Sequence, residues 1–210
     1  FKMFRRVVEA SGRPMVFTCS QRHDGRGTFW KDLMTYAREA RDDGHILRPV
    51  VAPRPLGVML GLNGSQNPFS GTPTYRSIEH LPLDQRVKTM SQPDIRAKIL
   101  SEDPVKQSTF PLIHRILFTQ MFRLGSPANY TPSPEESISA MARNLDVTPQ
   151  DMAYDILLEN QGRGFIYAPL VNYANYTMDA CAEMLDDPYS IMGLGDGGAH
   201  VGFILDAGYP

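Results

Sequence analysis

Ten residues hold the side chains best suited to chemistry: Gly193-Leu194-Gly195-Asp196-Gly197-Gly198-Ala199-His200-Val201-Gly202. Asp196 stands alone among glycines after the apolar run Ser190-Ile191-Met192. That pattern predicts a carboxylate exposed at a strand end, with no bulky neighbour to keep a substrate or an ion away. Such a group can take and return a proton. The same Asp-Gly composition also suits a turn whose Asp caps a following helix. A third use is open, because Gly193, Gly195 and Gly198 satisfy the Gly-x-Gly-x-x-Gly pattern that cradles a pyrophosphate at a helix start. An anionic Asp196 inside that turn repels phosphate, and the residues after Ala199 are few for a second strand with a ribose-binding acid. A nucleotide-binding α/β domain built on the loop from Gly193 to Gly198 is therefore the alternative, not the first reading.

Other candidates are single side chains. His200, four residues after Asp196, shares a face with it if the intervening turn is helical, and then orients the carboxylate or meets substrate. A His satisfied by backbone near a helix start fits equally. Arg48 and Arg54 flank the end of an apolar strand pattern, where either can hold a substrate carboxylate through a bidentate pair or serve in a structural ion pair. His23 follows an earlier strand pattern in a polar loop, and Asp206 is weaker still. Tyr167, Tyr173 and Tyr176 read as packing residues. Cys19 and Cys181 fit no metal or redox spacing and read as idle thiols in a reducing cytoplasm.

The tail closely resembles the segment around the eighth barrel strand of the amidohydrolase superfamily, in particular its N-acyl-D-amino-acid deacylase (D-aminoacylase) group. Arg48-Pro49-Val50-Val51-Ala52-Pro53-Arg54-Pro55-Leu56-Gly57, Asn67-Pro68-Phe69-Ser70 with Pro73-Thr74-Tyr75-Arg76, and Tyr173-Ala174-Asn175-Tyr176 resemble segments of those proteins in the same order. The resemblance implies a partial (β/α)8 barrel of the TIM type, its second half, with parallel strands inside and helices outside. It implies hydrolysis of the amide bond of N-acyl amino acids by a zinc-activated water, with Asp196 as general base and acid and as a possible metal contact. Family members bind metal through a His-x-His pair. Here the five His stand at 23, 45, 80, 114 and 200, with no such pair. The expectation is a fragment that carries the acid/base but lacks the metal cage, with Zn2+ present in the full-length enzyme, little held by this chain alone, and the fragment itself inactive. A non-catalytic, barrel-derived interaction domain is the remaining alternative.

The elements that must position these residues alternate. Residues 15–19, 46–51, 115–118, 165–168 and 190–194 carry strand patterns, and those near 15–19, 46–51 and 190–194 are expected to run parallel in one sheet. Residues 28–43 place Phe29, Trp30, Leu33, Met34, Ala37 and Ala40 on one stripe, closed by Gly44 in a left-handed cap. Ser133-Pro134-Glu135-Glu136 and Thr148-Pro149-Gln150-Asp151 announce helix starts. Helices are expected at 83–90 and 93–100. Residues 63–82, rich in Pro, Gly, Ser and Asn, read as a long irregular surface excursion. Pro49 must sit where its missing donor is not needed. Residues 1–210 are read as one partial barrel domain whose uncovered strand edges favour self-association.

Composition sets the outer bounds. With 42% apolar and 21% charged residues the chain is ordinary globular material, and a net charge of -2 with a pI near 6.2 argues against a nucleic-acid partner. No apolar run approaches the ~20 residues that span a bilayer, so no membrane partner is expected, while a small-molecule substrate is what the resemblance implies. From Gly164 onward there are six acids and no Lys or Arg. Four of the six fall in one helical pattern, which reads as a solvated face.

Overall fold

The computed structural model describes residues 2–23, 27–103, 117–195 and 208–209. They form two compact units, one of residues 2–57, 169–195 and 208–209, the other of residues 58–168. The chain is mixed α/β.

In the first unit α1 (Lys2–Ser11), β1 (Met15–Thr18), α2 (Phe29–Asp42) and β2 (Leu47–Val51) succeed one another. α8 (Asp179–Leu185) and β6 (Ile191–Met192) belong to the same unit. The sheet order is β1-β2-β6, and both pairings are parallel, as the alternation of helix and strand patterns implies. The α2 stripe buries Trp30, Leu33, Met34, Ala37 and Ala40, while Phe29 lies outside the core. Its lower half packs with Val8 and Leu47, its upper half with Cys19, Val51, Ala180 and Met184. Gly44, at φ +85, ends the helix: its N–H bonds Arg41 O at 2.8 Å and the His45 N–H bonds Ala40 O at 2.8 Å, which together are a Schellman cap.

Pro49 sits inside the central strand and is tolerated for a geometric reason. Val50 O accepts from Cys19 on the β1 side and Val51 O accepts from Gly193 on the β6 side, so alternate residues face alternate neighbours. Pro49 therefore faces β6. That strand has only two residues, opposite Val50 and Val51, and never reaches Pro49.

The second unit is mainly helical: α3 (Pro73–Ile78), α4 (Leu83–Met90), α5 (Pro93–Ser101), α6 (Ile138–Asn144) and α7 (Pro149–Gly162). A second sheet has the order β3-β5-β4, from β3 (Leu56–Gly61), β4 (Phe122–Arg123) and β5 (Phe165–Val171), with β4 antiparallel to β5. In the first unit, a further two-residue pairing, β7 (Leu194–Gly195) with β8 (Gly208–Tyr209), is antiparallel. Among the described residues no sheet closes into a barrel. In a barrel of consecutive strands β2 would pair with β3, whereas here β2 pairs with β6 and β3 belongs to another sheet.

Three local expectations are corrected. The described part of the 115–118 strand pattern is not a strand: Leu117 precedes a 3-10 turn at Phe118–Gln120. The Ser133 box, whose Glu136 carboxylate accepts from the Ser133 N–H at 2.7 Å, starts only a 3-10 turn, and the helix proper begins at Ile138 under Ser137, which accepts from the Ala140 N–H. Residues 63–82 are not an irregular surface excursion. They contain α3 and bury Asn67, Phe69, Thr72, Thr74 and Tyr75.

Side chains from outside that stretch hold it in place. Arg86, on α4, donates to Leu62 O at 3.0 Å, to Leu81 O at 3.1 Å and to the Tyr75 hydroxyl at 3.1 Å, so one guanidinium closes the segment at both ends and at its middle. The Glu102 carboxylate accepts from the Thr74 N–H at 2.8 Å and its hydroxyl at 2.5 Å, in the first turn of α3. Arg96 joins α5 to α7 through Asp155 and, at 2.9 Å, Asp151, and lies 4.9 Å from the Tyr154 ring centroid. The Thr148 hydroxyl and then Arg96 hold the Asp151 carboxyl below the usual carboxylate range.

Arg86→Met keeps most of the stem but removes every donor, leaving two carbonyls and a hydroxyl without their partner. It is expected to cost about 2–4 kcal/mol of stability in urea denaturation. A loss near zero would show that the segment is held by packing alone.

Candidate active site

The site is built from the exits of a parallel sheet. Because β1, β2 and β6 run the same way, residues 19–23, 52–54 and 193–195 leave at one edge, the edge where open α/β sheets bind ligands.

Two buried amides organise this edge. Asn172, fully buried, accepts from the Gln21 N–H at 2.9 Å through Oδ1 and donates from Nδ2 to Ala52 O at 3.3 Å. Its own N–H bonds Gln21 O at 2.8 Å, and the Gln21 side-chain oxygen accepts from the Ala174 N–H at 3.0 Å. One side chain thus ties together the segments that follow β1, β2 and β5. Asn172 does this at φ 65, in the left-handed region, which Asn tolerates better than most residues. Neither Gln21 nor Asn172 stood out in the sequence. The signal was available in Val171-Asn172-Tyr173, an amide directly after an apolar strand, where a turn needing a positive φ is common.

The predicted site residues separate along the strands. Arg54 follows β2, half-buried, with Nη1 donating to Pro55 O at 3.4 Å. Arg48 is the second residue of β2, toward the opposite end, with its guanidinium carbon 5.8 Å from the Tyr189 ring centroid. Only Arg54 of the pair lies at the carboxyl edge. His23 is half-buried in the segment after β1, next to Arg22, which bridges Val171. Tyr167 and Tyr173 are core residues, and Tyr176 stacks edge-on against Tyr173 at 6.2 Å. Asp196, His200 and Asp206, with Gly197 and Gly198 of the glycine loop, lie outside the described residues. Asp196 follows directly on Gly195, the last residue of β7.

Cys19 and Cys181 are free and buried. Burial pushes Cys19 up to about 12 and Cys181 up to about 11, so neither is a thiolate near neutral pH, and nucleophilic thiol chemistry is not supported. Among the described residues no three His, Cys, Asp or Glu side chains are grouped so as to hold a metal ion. No described helix is long and apolar enough to cross a membrane. Comparison of the chain with protein-family models, with curated proteins and with solved structures finds no match.

Two outcomes follow from this geometry. Asn172→Ala removes the amide and places a Cβ residue without a compensating bond at φ 65, for an expected loss of about 3 kcal/mol. Asn172→Gly, which relieves only the backbone, should lose about 1 kcal/mol less. Equal losses in urea melts would show that the backbone conformation is not strained. The thiols give a pH dependence. A Cys19 that keeps its proton to about 12 when folded but releases it near 9.0 when unfolded stabilises the fold below pH 9.0, and that contribution is lost as pH rises toward 12. Melting temperatures should fall over this range, and a Cys19→Ser variant should show a smaller fall.

Proposed function

We propose that this chain is the acid/base-bearing part of an amidohydrolase-type enzyme that cleaves the amide bond of N-acyl amino acids, with Asp196 as its proton carrier. The observation that supports the reading best is the parallel pairing of β6 with β2, secured by the Gly193 N–H on Val51 O at 3.0 Å. The chain leaves β6 at the same edge as the segments after β1 and β2, and Asp196 is four residues beyond Met192. Active sites of parallel α/β proteins are assembled at that edge. The likeness of Gly193 to Gly202 to the eighth-strand segment of D-aminoacylases supplies the chemistry. The partial barrel belongs to the same proposal.

Each side chain then has a task. The Asp196 carboxylate takes a proton from the water that adds to the acyl carbon and returns it to the leaving nitrogen as the C–N bond breaks, giving a carboxylic acid and a free amino acid. Arg54, at the carboxyl edge, is assigned to the substrate carboxylate, for which a guanidinium has the matching fork of donors. Gln21 and Asn172 keep the segment carrying His23 in position without entering the chemistry. The resemblance implies zinc, but the described side chains do not form a donor set for it, so no step of this chain is assigned to a metal. The 210-residue chain by itself is proposed to be inactive.

The test is release of free amino acid from N-acyl-D- and N-acyl-L-amino acids by the intact gene product. Asp196→Asn keeps the shape and removes the base, and is expected to lower kcat by on the order of 10²-fold or more while leaving the melting temperature within a few degrees. If Asp196 only caps a helix, Asn serves nearly as well, and turnover will not change. Unchanged turnover overturns the role of Asp196. No turnover of any N-acyl amino acid by the unaltered protein overturns the reaction.

A further inference from the structure

The second unit contains an open cavity of about 460 Å³ lined by Leu83, Asp84, Val87, Lys88, Gln161 and Arg163. One wall is a face of α4, where residues 83, 84, 87 and 88 recur at helical spacing. The other is the end of α7, where Asn160, Gln161 and Gly162 stand at φ 49, 62 and 82. Two successive non-glycine residues in the left-handed region cost on the order of 1 kcal/mol each, and such strain persists where surrounding structure imposes it. Here the turn carries Gln161 and Arg163 to the cavity and passes Gly162 close to its apolar side. A Cβ on Gly162 would stand 2.4 Å from Val87 Cγ2 and 3.1 Å from Leu83 Cδ1, so the backbone fits only without a side chain.

The charged side chains that line the cavity, Asp84, Lys88 and Arg163, are exposed. Arg86, Arg96 and Arg123 in the same unit all bond carbonyls or carboxylates. Among the described residues, the side chains of Lys88 and Arg163 make no hydrogen bond or ion pair. We propose that this cavity is a binding site for a small organic monocarboxylate, its carboxylate between Lys88 and Arg163 and its apolar body over Leu83 and Val87. Two cations with an apolar floor fit an amphiphilic anion. Asp84 on the same lining repels a second negative charge and so selects a monocarboxylate over a phosphate dianion. Gln161 supplies an amide that can bond a carboxylate or an acyl carbonyl. The ligand is either a free fatty acid or an N-acyl amino acid, which share this chemistry. All six residues lie in the unit of residues 58–168, so the site does not rest on the assignment of Asp196.

The experiment is an amide-resolved NMR titration of the 210-residue chain with sodium octanoate, N-octanoylglycine and inorganic phosphate in separate arms. Saturable shifts confined to residues 83–88 and 161–163 with octanoate or N-octanoylglycine are expected, and the tighter arm identifies the ligand class. Lys88→Gln and Arg163→Gln alter exposed side chains, so spectra elsewhere should be unchanged, and each should weaken binding about tenfold. Asp84→Asn should strengthen binding and let phosphate compete. Absence of saturable shifts at these residues, affinity indifferent to both charge removals, or phosphate binding as tightly as octanoate to the unaltered protein would each overturn the proposal.

Discussion

The edge where β1, β2 and β5 end depends on one amide. Asn172 is fully buried; its N–H, Oδ1 and Nδ2 bond backbone groups of Gln21 and Ala52, more than a hundred residues away in sequence, and its carbonyl accepts from the Cys181 thiol at 4.0 Å. A buried amide is stabilising only if its bonds are made, because leaving one donor or acceptor unpaired costs about 1–3 kcal/mol while a completed bond returns only about 1. That asymmetry makes the arrangement specific more than strong. Shifting any of the three segments by a residue would orphan a buried group, so the loops after β1 and β2 are fixed relative to each other even though they carry little regular structure of their own.

Within the second unit the same logic works through arginines. Arg86 satisfies the carbonyls of Leu62 and Leu81, in the irregular stretches on either side of α3, which is how a stretch rich in Pro, Gly and Asn becomes ordered and partly buried. Arg96 is partly exposed, and its two carboxylates on α7 screen well into solvent, so its contribution is smaller than its short contacts suggest. Tyr154, whose hydroxyl donates to Met90 O at 2.9 Å, adds a buried fixed point between α4 and α7. Close approach does the rest: a Cβ on Gly164 would stand 1.8 Å from Ile156 O, so only glycine lets the chain turn from α7 into β5.

What was legible in the sequence was the local grammar. The α2 stripe, its Gly44 cap, the Thr148 start of α7 and the helices at 83–90 and 93–100 rest on short-range rules, and the structure has them within a residue or two. Parallel pairing of 15–18, 47–51 and 191–192 was also inferable, because strands separated by helices must cross over. What escaped was set by distant partners. Nothing near residues 63–82 announces that Arg86 will close them, and nothing in Gln21 or Asn172 alone shows that they will meet. The Ser133 box met its local rule yet capped only a 3-10 turn, since the Ile138 N–H is taken by Met121 O and the helix starts anew under Ser137. Helix α1, with Phe4 and Val8 on one side, carries no start signal, and only its end is marked, by Gly12 at φ 61 with Pro14 just beyond.

The acidic run after Gly164 shows how a charge pattern is resolved by tertiary structure. Read alone, the acids of α8 and its exit form a solvated face, and for Glu183, 3.4 Å from Lys31 with both side chains exposed, that is nearly right, since such a pair contributes well under about 1 kcal/mol. Asp187 is different. It is buried, it meets Arg41 at 3.4 Å and Arg38 at 3.6 Å, and it accepts from the Tyr189 N–H at 2.9 Å, while Arg41 stacks 4.0 Å over the Tyr189 ring. Because no Lys or Arg occurs after Gly164, a permanent countercharge had to come from upstream, and α2 provides it. Breaking a buried pair costs about 3–5 kcal/mol, whereas the two-residue β6 ladder supplies a few bonds of about 1 kcal/mol each. The stronger term lies in the turn before β6, not in the strand. Where the chain enters β6, and hence where the glycines leading to Asp196 begin, is therefore decided by a helix about 150 residues earlier in sequence.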